Sequence, residues 1–143
     1  QSSKRKEILA IDSLAPADED NLVQAAHIDI NSVTETLTDI ESAFDTNFMV
    51  NKAQHYLMTK LIKKGALLFF IGGDNFMAPC NGLSEKDIED ILVEINDEIG
   101  IGLKAGIGIG RNMEDAAYMA DLGLEEIREH DNGMWTWVIE KEY

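Results

Sequence analysis

Leu67-Leu68-Phe69-Phe70-Ile71-Gly72-Gly73-Asp74-Asn75-Phe76-Met77-Ala78 is the stretch on which the fold turns. An apolar run stops at two glycines, presents an acid and becomes apolar again. Two strand-forming runs joined by Gly-rich turn residues read as a β-hairpin. The expected strands are 66–71 and 75–78, with the Asp74 carboxylate at the tip. An acid placed there can hold a metal ion, and a metal ion can hold a nucleotide triphosphate. A second acid at the same edge would make the hairpin a site, and Asp29 is the candidate.

Upstream, residues 23–30 read as a strand running into Asp29-Ile30-Asn31. Apolar residues then recur at helical spacing through Val33, Leu37, Ile40 and Phe44, and again through Val50, Ala53, Leu57, Leu61 and Ile62. These are expected as two helical pieces broken near Asp45-Thr46-Asn47, the second ended by Gly65 as a C-cap. Downstream, Pro79 and Gly82 close the hairpin. Ser84 with Asp87 resembles a capping box, followed by an apolar stripe at Ile88, Ile91, Leu92, Ile95 and Ile99. Gly100 and Gly102 stop that helix. Residues 103–109 form a strand whose alternating glycines let a backbone or a ligand approach closely. Asn112 caps a helix from 113 to about 129, and the alternation of Trp135, Trp137 and Ile139 indicates a last strand.

This order places the chain in the α+β class: a ferredoxin-like or palm βαββαβ arrangement, expected as an antiparallel sheet with helices on one face. In it the first strand neighbours the hairpin, so Asp29 and Asp74 converge at one sheet edge. Residues 22–143 form the palm domain. Residues 1–21, with Pro16 and the acidic Asp18-Glu19-Asp20, read as a linker or N-terminal arm with a short helical stretch at 6–14.

At 143 residues and 45% apolar, the chain suits one domain with a real core. Its longest apolar run, Ala66 to Ile71, is too short to span a bilayer. No secretory signal opens it, and the start without Met reads as internal. A single Cys80 forms no internal disulfide, which favours a reducing cytoplasm; a buried small hydrophobe is its commoner role. Twenty-seven acids against 12 bases leave a charge of −15. Such a surface opposes contact with nucleic-acid backbones and anionic lipid, so neither nucleic acid nor membrane is expected as a partner.

Two carboxylates at close range repel unless one is protonated or a cation intervenes. A divalent, oxygen-liking ion between Asp29 and Asp74 is the simplest resolution, with the Ile30 carbonyl as a further ligand. Two turn-forming Asp residues with local hydrogen bonds remain the other reading. Gly72-Gly73 leaves backbone unshielded beside Asp74, as any tight hairpin does. Lys104 on the Gly-rich strand can neutralise phosphate or simply be solvated. Asn31 and Asn51 can read a base edge or a phosphate, or act as caps. His27 and His55 have no zinc-type spacing and are expected as core or surface histidines. Trp135 and Trp137 are expected in sheet packing. Neither a Ser-His-Asp spacing nor a Gly-Lys-Ser phosphate loop is present.

Ala26-His27-Ile28-Asp29-Ile30-Asn31, the hairpin at 69–78 and Leu103-Lys104-Ala105-Gly106-Ile107-Gly108-Ile109-Gly110-Arg111 together resemble the archaeal GTP cyclohydrolase III family. Glu114-Asp115-Ala116-Ala117 and Ala120-Asp121-Leu122-Gly123-Leu124-Glu125 fit the same pattern, so the similarity runs from about 23 to 128. The family is related to nucleotidyl cyclases and GGDEF-type diguanylate cyclases and carries two tandem palm domains. This chain resembles the second, the upstream one being absent from it.

The resemblance implies Mg²⁺-dependent hydrolytic opening of the GTP imidazole ring. The implied product is a formamidopyrimidine ribonucleotide monophosphate that feeds flavin and deazaflavin synthesis, formed with release of inorganic phosphate. It implies Asp29, Ile30 and Asp74 as metal ligands, and nucleotide contacts from Asn31, Asn51, Gly72, Gly73, Asn75 and Lys104. Asn75 stands where the GGDEF pattern has Glu, which argues against joining nucleotides through a 3′-hydroxyl. No general acid or base is identified. The alternatives are a non-catalytic palm domain for nucleotide binding or dimerisation and, behind it, a nucleotidyl cyclase. Palm sheets commonly pair, so a homo-oligomer is expected.

Overall fold

The computed structural model describes residues 21–30, 43–130 and 133–143. Residues 1–20 of the expected arm at 1–21, the helical stretch through Val33, Leu37 and Ile40, and Asn31 lie outside the described residues. Within them the order is β1 (Val23–Ile30), α1 (Ala43–Ile62), β2 (Phe69–Gly72), β3 (Asn75–Pro79), α2 (Glu85–Ile99), β4 (Leu103–Gly110), α3 (Met113–His130) and β5 (Thr136–Glu140). The strands form one sheet in the order β2-β3-β1-β4-β5. β1 lies between β3 and β4, antiparallel to both.

The α+β palm class stands, with two particulars changed. The sheet is mixed, because β5 runs parallel to β4 after the α3 crossover. Helices also cover both faces rather than one. On the first face Ala26, Ile28, Ile30, Phe76, Leu103, Ala105 and Ile107 pack with Val50, Ala53, Leu57 and Leu61 of α1 and with Ile88, Leu92 and Ile95 of α2. On the second, Val23, Ala25 and Met77 pack with Met113 and Ala116 of α3. Strand alternation separates the two sets: odd residues of β1 face α3 and even ones face α1 and α2.

The glycines of β4 explain where α3 lies. A Cβ on Gly106 would sit 2.1 Å from the Ala120 carbonyl oxygen, and one on Gly108 would sit 1.9 Å from that of Ala116. The open choice between a backbone and a ligand over this strand is settled: the α3 backbone fills the space. Gly123 completes the contact from the helix side, where a Cβ would stand 3.2 Å from the Gly106 Cα.

The expected break at Asp45-Thr46-Asn47 does not occur, and α1 runs through it. Thr46 and Asn47 are exposed in its first turns, where short polar side chains are well tolerated. Gly65 ends the helix at φ 79°, the Gly65 and Ala66 amides donating to Ile62 and Leu61. That turn consumes the start of the expected hairpin strand, so β2 begins at Phe69. Ser84 and Asp87 form the full capping box, and Gly100 closes α2. Asn112 caps α3 by accepting from the Asp115 amide at 2.8 Å.

The end of the chain is latched to α3. The Tyr143 hydroxyl accepts from the Arg111 amide and donates to Asp115 Oδ2, each at 2.6 Å, while Lys141 reaches Asp115 Oδ1 at 3.1 Å. The Tyr143 hydroxyl, with Lys141 assisting, holds the Asp115 carboxyl below its ordinary value of 3.8. A depressed carboxylate stabilises the fold above its ordinary pKa and loses that contribution as pH falls through the folded value. Thermal unfolding at descending pH should therefore show Tyr143→Phe losing this contribution at a higher pH than the parent. Coincident acid limbs would refute the latch.

Candidate functional site at the open end of the first strand

β1 ends beside the hairpin tip. The turn residues are Gly73 and Asp74, with positive φ at Gly72 (109°) and Gly73 (58°), which glycine adopts readily. Ile71 is bulged between the pairs Phe70↔Phe76 and Gly72↔Asn75. The Ile30 amide donates to the Asp74 carbonyl at 3.3 Å, tying the end of β1 to the turn.

Register then determines the neighbours of Asp29: Asn75 on β3 and Lys104 on β4 stand directly opposite it. All three side chains belong to the α3 face. Asp29 is only 5% exposed. Arg128, two helical turns beyond Asp121 on α3, donates to Asp29 Oδ2. Among the described residues Asp29 Oδ1 is buried with no hydrogen-bond partner. Burial pushes the Asp29 carboxyl above its ordinary value; Arg128 and Lys104 oppose this, and Asp74 adds to it.

His27 lies on the same face, one residue pair further along β1. Its Nδ1 is 2.6 Å from Asp121 Oδ1, and its Nε2 is 3.0 Å from Asn75 Oδ1. Asn75 Nδ2 donates onward to Asp74 Oδ1 at 3.2 Å. His55 is a surface histidine, and His27 is a largely buried one hydrogen-bonded at both ring nitrogens beside the candidate site.

A groove of about 380 Å³ opens on the other side of the tip. Thr46, Asn47, Val50, Asn51 and Gln54 of α1 form one wall, and Phe70 and Gly73 of the hairpin form the other. It offers side-chain amides on one side and a ring on the other, which suits a planar ligand with polar edges.

The structure therefore gathers Asp29, Ile30, Gly72, Gly73, Asp74, Asn75 and Lys104 around one strand end. Asn51 stands apart from the polar row, across the sheet in the groove, with Gly73 linking the two. Sequence reasoning missed His27, Asp121 and Arg128. Alternation along β1 pairs His27 with Asp29 on one face. The two-turn spacing of Asp121 and Arg128 gives them a common helix face. Only the docking of α3 on β4 brings the two faces together.

Comparison with known proteins adds to this geometry. A family model described as GTP cyclohydrolase III matches residues 1–142. The chain is 97% identical over 143 residues to a GTP cyclohydrolase III of Methanobrevibacter smithii, covering all of this chain and 56% of that protein. It is 62% identical over 128 residues to one of Methanothermobacter thermautotrophicus, covering 90% of this chain and 50% of that protein. The chain thus spans about half the length of these curated relatives. Among solved structures, the GGDEF domain of DgcB from Caulobacter crescentus, in complex with c-di-GMP, superposes with a TM-score of 0.69 at 15% identity, covering 96% of this chain and 88% of that one. The active GGEEF domain of a diguanylate cyclase from Vibrio cholerae gives 0.61 at 14% identity, covering 99% and 90%. At such identities the likeness is one of fold.

Proposed function

The chain belongs to the GTP cyclohydrolase III family, and on that premise we propose that it supplies a GTP- and Mg²⁺-binding palm site for hydrolytic opening of the GTP imidazole ring. The proposed product is a formamidopyrimidine ribonucleotide monophosphate, formed with release of inorganic phosphate. The observation that carries this reading is the buried Oδ1 of Asp29, without a hydrogen-bond partner among the described residues, at the strand end that Ile30 ties to Asp74. An unsatisfied carboxylate oxygen in a low-dielectric site is costly. A hard divalent cation removes that cost and takes the oxygen donors offered here: Asp29 Oδ1, the Ile30 carbonyl and the Asp74 carboxylate. When bound, Mg²⁺ neutralises triphosphate charge and anchors the nucleotide.

The remaining roles belong to the chain. Gly72 and Gly73 admit phosphate close to the backbone, and Lys104, opposite Asp29, offers a cation to it. The Asn51 amide and the Phe70 ring line the groove in which the base is proposed to lie. Asn31 is proposed as a further nucleotide contact on sequence grounds. Asn75 is engaged with His27 and Asp74 and cannot serve as an acidic ligand, which argues against nucleotide joining.

The second reading, a nucleotide-binding or dimerising palm without catalysis of its own, is favoured by the span of the chain over about half of its relatives. The rest of their length is proposed to hold the companion palm domain, and assembly as a homo-oligomer is proposed with it. Among the described residues no helix is long and apolar enough to cross a membrane. A cytoplasmic setting is proposed for the enzyme.

The test uses a full-length protein carrying this segment, incubated with GTP and Mg²⁺ while purine absorbance and free phosphate are followed. Loss of the purine spectrum supports ring opening, binding without turnover supports the second reading, and a linked nucleotide supports cyclase chemistry. Asp74→Asn should lower metal-dependent turnover by at least about 100-fold, given the weight of charge stabilisation at such sites. Unchanged activity would remove the metal role of Asp74.

A further inference from the structure

We propose that His27, clamped by Asp121, is a positioning residue: it orients the Asn75 amide so that the amide holds Asp74 and the Gly72 carbonyl in place at the hairpin tip. The inference rests on the site reading above for its functional consequence, while its structural content stands independently.

The hydrogen bonds carry the argument. Asn75 Nδ2 donates to Asp74 Oδ1 at 3.2 Å and faces the Gly72 carbonyl at 3.5 Å. Turning the amide over would set its oxygen against these two acceptors, so Nδ2 must point to the tip and Oδ1 to His27. At 3.0 Å from an acceptor, His27 Nε2 must then carry a proton. At the other side of the ring, the Asp121 carboxylate accepts from Nδ1 at 2.6 Å. It fixes the ring plane. His27 is little exposed, at 14%, whereas Asp121 is 51% exposed.

The chain of contacts thus runs from α3 through β1 to β3 and ends on the carboxylate that the site uses. The tip needs such a hold. Its backbone contains two positive-φ glycines and is intrinsically permissive. A carboxylate on a loose turn samples many positions, and an angstrom of misplacement is expensive at a reacting centre. Without Asp121 nothing holds the ring plane from the Nδ1 side, so Nε2 can swing away from Asn75 Oδ1, the amide turns, and Asp74 loses its donor.

The test uses the full-length protein with asparagine side chains labelled with ¹⁵N, and the variants His27→Ala, His27→Gln and Asp121→Ala. Gln retains an N–H donor near the Nε2 position and serves as the conservative rescue. Without nucleotide or metal, exchange of the Asn75 side-chain amide protons should accelerate about tenfold in His27→Ala and Asp121→Ala, as loss of an orienting hydrogen bond predicts, and return towards the parent rate in His27→Gln. In the GTP assay kcat should fall about tenfold or more, with KM changing much less, because the change concerns placement rather than uniform binding. Equal exchange rates in parent and variants overturn the inference, as does uniform acceleration of all amides without rescue by Gln. If His27→Ala does not fold, His27→Gln and Asp121→Ala still give the comparison. Ordered Asn75 exchange in a parent without turnover would leave the positioning intact and refute the proposed function.

Discussion

Asp29→Asn is expected to make the protein more stable while abolishing metal-dependent GTP turnover. Asp29 is 5% exposed, one of its oxygens has no partner among the described residues, and burial raises its carboxyl above the ordinary value. A raised carboxylate stabilises the fold below its ordinary pKa of 3.8 and loses that contribution as pH climbs through the folded value. At neutral pH the charge is therefore a net cost. Asn keeps the shape without the charge. The Arg128 side chain, 47% exposed, can be rehydrated when it loses its partner. Removing the buried charge, while an amide atom keeps the unpartnered position, should contribute about 1–2 kcal/mol, or roughly 3–6 °C in Tm for a chain of this size. The gain should be present at pH 7 and shrink as pH falls through the folded value of Asp29 towards its ordinary 3.8, because the parent then loses the charge that the variant never has. A fall in Tm at pH 7 would show instead that the Asp29–Arg128 pair is net stabilising. Turnover in the full-length variant should drop at least about 100-fold, because the proposed site loses a charged ligand. Stability and function would then oppose each other at one residue, as they do where a fold stores cost at a site.

The second large effect lies away from the carboxylates. Gly108→Ala should cost about 3 kcal/mol, at the upper end for overpacking, and lower Tm by roughly 10 °C. The added methyl would stand 1.9 Å from the Ala116 carbonyl oxygen and 2.3 Å from the Ala120 nitrogen, so a helix backbone has to move. Gly106→Ala meets the same helix at Ala120 and Leu124 and should behave alike. Because α3 also carries Asp121 and Arg128, its displacement should weaken both of their contacts with β1. Activity should therefore fall even at temperatures where the variant remains folded. Tm values within 2 °C of the parent, measured by calorimetry, would show that α3 does not depend on this close approach.

Much of the architecture was legible because local chemistry and tertiary context agree. Gly65, Ser84 with Asp87, Gly100 and Asn112 end or start helices through backbone groups within a few residues of themselves. The hairpin tip was legible for the same reason: Gly72 and Gly73 take the positive φ values that the turn requires. Thr46 and Asn47 misled because polarity at the exposed start of a helix resembles polarity at a break.

The site divides along the same line. Asp29, Ile30, Gly72, Gly73, Asp74, Asn75 and Lys104 could be brought together from strand order alone, since adjacent strands place them in register. Arg128, Asp121 and the role of His27 could not, because they depend on which face of the sheet α3 covers. The glycine alternation on β4 was visible in the chain, but it permitted a ligand as readily as a helix. By itself the sequence determined the strand and helix order, the caps, the acid at the hairpin tip and the family. Only the tertiary structure decided that helices cover both faces and that Asp29 is buried against Arg128. It also decided that His27, Asn75 and Asp74 are joined by hydrogen bonds. Caps and turns are settled by neighbours in the chain, whereas these contacts arise from residues far apart in sequence that meet only when α3 docks onto β4.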